Sequence, residues 1–178
     1  MAIYLSAGHY NQDSGAIGVN GRQENNETIK LRDRILGYIS SNYRVITDND
    51  SESLAQYLAR IRPGDASVVL ELHFDSYNGK ASGSTALYMN DAPKNSIIFS
   101  AELCQFTATT LGIANRGAKS ESDSARGRLG LVHKAGITSL LEVCFIDNQE
   151  DMDKYDANID LLAQGVAKIL MKYDDLIS

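Results

Sequence analysis

Three histidines occur in the 178 residues, His9, His73 and His133, and the first two stand where short β-rich runs give way to loop residues. Taken singly, a histidine at a strand end is most often a hydrogen-bonded structural residue. Two neutral imidazoles joined by one carboxylate, however, make a ligand set used for catalytic zinc, with a fourth position left for water. Glu24 is the leading candidate for that carboxylate, because it opens a helix after a glycine-containing loop that starts at His9, so the chain can return to the same strand end. Glu27 is the neighbouring alternative; one turn deeper in the helix, it suits a dipole partner or surface charge better. The paired-cysteine spacings of structural zinc are missing. Cys104 and Cys144 both lie in apolar contexts that read as packing, so any zinc must be held by nitrogen and oxygen.

Glu142 lies inside Ser-Leu-Leu-Glu-Val-Cys-Phe-Ile, where a lone charged side chain meets a large desolvation cost. A zinc ion or its bound water nearby would offset that cost and give the carboxylate work as a general base. A buried pairing with Arg or Lys is the structural alternative. Glu71 sits two positions before His73 in another apolar run, and strand alternation puts both on one face, where Glu71 could orient the ring. His133 either contacts substrate near Glu142 or is a plain loop histidine.

These residues need elements to position them. A first strand over Ile3–Ser6 stops at Gly8-His9, and Ile29, Leu31, Ile35, Leu36 and Ile39 predict a helix from about Asn25 to Ser41. Tyr43–Thr47 reads as a strand, and the residues from Asp48 to Ser53 can cap a helix that Pro63-Gly64 ends. Ser67–Phe74 reads as a buried central strand with His73 at its far end. Ser84–Met89 predicts another strand and Asn95–Leu111 a helix. Leu129–Val132 and Thr138–Val143 predict two more strands, and Asp156–Tyr173 a closing helix. Alternating strands and helices favour a single-domain α/β sandwich, with a mixed, mainly parallel central sheet flanked by helices.

Length and composition agree with one domain over residues 1–178: hydrophobic residues make up 43% and charged residues 22%, inside the globular range. A net charge of -6 repels a nucleic-acid backbone, which excludes nucleic acid as the expected partner. The densest basic stretch, Arg116 to Arg128 with Lys119 and Arg126 inside it, also carries Glu121 and Asp123 and reads as a solvated loop. Within it, Arg126 and Arg128 are the residues that could meet an anionic substrate. No stretch approaches the ~18 apolar residues that span a bilayer, so membrane insertion is not expected.

The segment Ser-Ala-Gly-His-Tyr-Asn-Gln-Asp-Ser-Gly-Ala-Ile-Gly resembles the Gly-His-x-x-x-Asp-x-Gly-Ala motif of the zinc-dependent N-acetylmuramoyl-L-alanine amidases, and of phage and clostridial-type endolysin domains in particular. Leu-His-Phe-Asp-Ser resembles that family's second histidine motif, and Leu-Leu-Glu-Val-Cys-Phe-Ile-Asp-Asn its Leu-x-Glu-x-x-Phe-x-x-Asn segment. The likeness covers nearly the whole chain. It departs at Tyr10 and Asn11, where glycines are common, and at Ser14, where proline is common. It implies His9, Glu24 and His73 as zinc ligands and Glu142 as the catalytic glutamate, with Asp75 where the second histidine motif carries Asn or Asp; His133 and the Arg116–Arg128 loop fall where such enzymes vary, so Glu71, Asp75 and His133 stand only as candidate supporting or substrate-contacting residues. The implied substrate is bacterial peptidoglycan, cleaved between N-acetylmuramic acid and L-alanine by a monomer. A zinc carboxypeptidase or endopeptidase on stem peptides, or a non-catalytic peptidoglycan-binding module, are the competing readings. A wall-binding domain outside this chain is expected. The opening residues lack the pattern of a signal peptide, so action on the wall implies either a phage lysin released through the host cytoplasm or a domain trimmed from a secreted precursor.

Overall fold

In a computed structural model, which describes residues 1–124 and 127–177, the strands are β1 (Ala2–Ala7), β2 (Val45–Thr47), β3 (Ser67–Asp75), β4 (Ser84–Tyr88), β5 (Asn115–Ser120) and β6 (Ile137–Phe145). The helices are α1 (Glu24–Tyr38), α2 (Leu54–Arg60), α3 (Lys94–Leu111) and α4 (Gln149–Leu176). All six strands join one sheet in the order β2-β1-β3-β6-β4-β5. Its pairings are parallel except that of β4 with β6, so the β4–β5 pair runs against the other four strands. The α/β arrangement is the one expected from the alternation of elements.

The two faces of the sheet are covered unequally. Ile3, Leu5, Leu70, Leu72 and Phe74 point to a large core completed by Leu31 and Ile35 of α1, Phe99 and Leu103 of α3, and Tyr155, Leu162 and Val166 of α4. Each large apolar side chain fully buried there contributes about 1.5–3 kcal/mol. The opposite face is thinner. Tyr4 and Val69 meet Tyr57 of α2 and Leu131, while Leu87 and Leu140 meet Leu129 and Val132. Ser53 starts α2 with a reciprocal cap: its hydroxyl accepts from Gln56 N–H, and its own N–H donates to the Gln56 side chain.

Three expectations are corrected. Leu129–Val132 is not a strand: a single 3-10 turn spans Leu131–His133, and Leu129, Leu131 and Val132 are apolar because they lie across the thin face. The Arg116–Arg128 stretch is not wholly loop, since its start lies in the edge strand β5, whose glycine and polar residues carry no alternation signal. Arg126 lies outside the described residues. The last helix begins seven residues before Asp156, at Gln149, where the Asn148 side chain accepts from Glu150 and Asp151 N–H groups. Cys104 and Cys144 are buried free thiols, as their apolar contexts suggested.

The segment crossing the thin face is tied down by Glu121, which is 3% exposed. Its carboxylate accepts from the backbone N–H groups of Asn90 and Leu129, and lies 2.8 Å from His133 Nε2. Burial alone would raise the Glu121 pKa, but the donors from Leu129, His133 and Asn90 outweigh it and hold the group below its ordinary value. Its stabilising contribution is therefore full above the unfolded value near 4.5 and is lost as pH falls through the lower folded value. Glu121→Ala strands buried donors and is expected to cost about 1–3 kcal/mol in urea unfolding at pH 7, with a smaller loss in acid. An equal loss at both pH values would show that the carboxylate charge does not matter.

Candidate metal centre

The site begins where β1 ends. Gly8 follows the strand because a Cβ there would stand 2.3 Å from the His73 ring, a distance that no side chain tolerates. His9 then adopts a left-handed backbone with φ of 68°, uncommon for a residue other than glycine. The first turns of α1 hold this bend in place: Thr28 Oγ1 donates to the Gly8 carbonyl and Asn25 Nδ2 to the Tyr10 carbonyl. Glu24 is the first residue of that helix, so the loop that leaves at His9 comes back beside it.

Glu24 is 1% exposed, and both of its oxygens are engaged. Oε1 accepts from Phe74 N–H and lies 2.9 Å from His73 Nδ1. Oε2 accepts from Ala16 N–H and lies 3.1 Å from His9 Nε2. The two imidazole rings meet edge to face, with centroids 5.2 Å apart. One donor atom from each of His9, Glu24 and His73 falls within 4.8 Å of the others, so the three side chains can share one ion. Glu27, the alternative carboxylate, is instead paired with Arg22.

A cation fits this cluster on chemical grounds. Two imidazole nitrogens and a carboxylate oxygen are the donor types preferred by zinc in sites that keep one position open. Each imidazole also has a carboxylate behind it: Asp13 Oδ2 lies 2.8 Å from His9 Nδ1, and Glu71 Oε1 lies 3.7 Å from His73 Nε2. Such partners fix the ring that faces a metal and raise its basicity. The electrostatics agree. Burial opposes charge on the His73 ring, yet Glu24, Glu71 and Glu142 push its pKa up to about 10. Burial likewise opposes charge on His9, while Glu24 and Asp13 raise its pKa. For Glu24 burial acts upward, but the two histidines hold it well below the carboxylate range. The imidazoles and the carboxylate thus favour each other's charged forms.

Glu142 stands on β6 opposite His73 of β3 and opposite Thr85 of β4. Its side chain is 4% exposed, and its carbonyl accepts from Ser84 Oγ. It lines a cavity of about 340 Å³ that also holds Asp75, Thr85, Arg116, Lys119 and Asp123. A second cavity of about 230 Å³ is lined by His9, Tyr10, Glu71, His73, Arg128 and Leu140. His133 is not part of the wall around Glu142; it pairs with Glu121 and faces a separate hollow beside Asn90 and Arg128. Asp13 is the residue that reading the sequence left without a role, although it is the aspartate of the opening motif and stands four residues after His9.

Residues 3–172 match the family model of the N-acetylmuramoyl-L-alanine amidases, and the chain belongs to that family. Its reaction is hydrolysis of the amide between N-acetylmuramic acid and L-alanine in peptidoglycan, and its place of action is the cell wall. The Bacillus subtilis (strain 168) protein YqiI is 26% identical over 160 residues, covering 85% of this chain and 73% of its own length. The catalytic domain of the amidase CwlV from Bacillus (Paenibacillus) polymyxa superposes with a TM-score of 0.79 at 19% identity, over 98% of this chain and 99% of that one. The catalytic domain of an endolysin targeting Clostridia difficile gives 0.70 at 23% identity, over 99% and 97%.

Two substitutions probe the cluster. Gly8→Ala is expected to displace the His73 ring and abolish zinc binding in calorimetric titration, with the far-ultraviolet circular dichroism retained. Asp13→Asn keeps the shape but removes the charge behind His9, and is expected to weaken zinc about 10–100-fold. Unchanged affinity in both variants would place the metal elsewhere.

Proposed function

We propose that this amidase is zinc-dependent, with His9, Glu24 and His73 as the metal ligands and Glu142 as the proton-transferring group. The observation that carries the reading is the convergence of those three donor sets beside a fourth buried acid, opposite His73 in strand register. A zinc ion held there would act as a Lewis acid, acidifying water to a pKa near ~7 and polarising the scissile carbonyl.

The chain's own residues supply the rest. Asp13 and Glu71 keep the imidazoles turned inward, and the Ala16 and Phe74 N–H groups keep the Glu24 carboxylate from rotating away. The Glu142 carboxylate takes the proton of the attacking water and returns it to the departing alanine nitrogen, so one group serves as base and then as acid. Its backbone is held in the middle of the sheet, across from His73 in strand register. Asp75 borders the same cavity from the end of β3 and is placed to touch substrate. The net charge of -6 gives no general attraction to an anionic wall, which supports delivery by a separate wall-binding module.

Glu142→Gln is expected to lower kcat by about 10²–10⁴-fold while zinc stoichiometry stays at one, measured by release of peptides with a free L-alanine amino terminus from purified peptidoglycan. His73→Ala and chelation should each remove zinc and activity together. Cleavage inside the stem peptide, with the alanine amide left intact, would overturn the amidase reading in favour of an endopeptidase.

A further inference from the structure

We infer that Arg116 and Lys119 of β5 form an anion subsite that binds a carboxylate of the peptide on the leaving side of the scissile amide, and so set the enzyme's preference for charged over amidated stems. The inference rests on the amidase reading of the metal centre.

The first support is a bulge. In the β4–β5 pairing, Ser84 faces Asn115 but Ala86 faces Ala118, so β5 carries one extra residue there. Bulges are rare between parallel strands and mark places where a side chain is re-aimed. Strand alternation would send residues 116 and 119 to opposite faces; the extra residue brings them to the same one. Gly117 makes this turn in a left-handed conformation, φ 88°, and its N–H is held by the Asn115 side chain. Lys119 then stands level with Leu87, on the face that carries Glu142.

The second support is the state of the two cations. The Arg116 guanidinium lies over the Phe145 ring at 5.1 Å, and one of its nitrogens donates to the Ser82 carbonyl. Stacking of this kind pre-orients the planar fork and leaves its remaining donors for a carboxylate. Among the described residues, neither Arg116 nor Lys119 has a carboxylate within ion-pair distance, in a chain whose acids outnumber its bases. Both line the cavity that contains Glu142, and Asp75 and Asp123 are also on its wall among the described residues.

The third support is direction. Glu142 must stand next to the nitrogen it protonates, so the peptide leaves through the cavity that Glu142 lines. The other cavity, lined by His9 and His73 with Tyr10, Leu54 and Leu140, is then left for the muramoyl side.

The test compares two soluble N-acetylmuramoyl-L-alanyl tetrapeptides, one with every carboxylate free and one with every carboxylate amidated. The readout is the ratio of kcat/KM for the two in the wild-type chain, Lys119→Gln, Arg116→Gln and the double variant. The wild type is expected to favour the free acid by about tenfold or more, through KM, and the double variant to bring the ratio close to one. Raising the salt concentration should compress the wild-type ratio and leave that of the double variant in place. A wild-type ratio near one, or a ratio that the substitutions leave intact, overturns the subsite while the amidase reading stands. Failure of the wild type to release an L-alanine amino terminus from either probe overturns both.

Discussion

One buried carboxylate, that of Glu24, ties together the stretches of chain that converge at the candidate site. Taking Glu24 out of water costs several kcal/mol unless both oxygens are satisfied, and four groups from two other stretches of chain satisfy them. The carboxylate joins the loop after β1, the start of α1 and the end of β3 at one point. The left-handed backbone of His9, the bare Cα of Gly8 and the Thr28 bond to the Gly8 carbonyl are the local adjustments that allow these stretches to meet. The result is one carboxylate and two imidazoles packed so that a donor atom of each lies within 4.8 Å of the others.

The unequal faces of the sheet divide labour between stability and reactivity. Three helices bury one face in a continuous apolar core, while the other is crossed by α2 and short turns pinned by Glu121. Glu71, His73 and Glu142 all point to this second, thinner side, and alternation along β3 and β6 places them there without distorting the strands. The acids that would be costly in the thick core thus lie beside open cavities, with central strands as their rigid support.

Much of this was legible in the sequence because burial and periodicity leave strong marks. The apolar runs around His73 and Glu142 announced central strands, and the polar residues inside those runs line the two cavities. The helical spacing after Glu24 located α1. What stayed hidden depended on pairing rather than on composition. β5 is an edge strand of Asn, Arg, Gly, Ala, Lys and Ser, and only its neighbour makes it a strand. Leu129–Val132 had the apolar content of a strand but covers the sheet instead of joining it. The first turn of α4 is polar, so its start is marked by the Asn148 cap and not by periodicity. Asp13 could be seen as part of a motif, but its contact with the His9 ring depends on the path of the loop between them.

The reversal of direction between β6 and β4 turns the sheet into a ruler. Strands lie about 4.8 Å apart, so Arg116 on β5 is two spacings, about 10 Å, from the strand that carries Glu142. The Arg116 side chain crosses that gap to lie over the Phe145 ring of β6, so its guanidinium stands nearer to β6 than its backbone does. Because the gauge is made of backbone hydrogen bonds and not of loops, lengthening or trimming the surrounding turns would leave its calibration untouched.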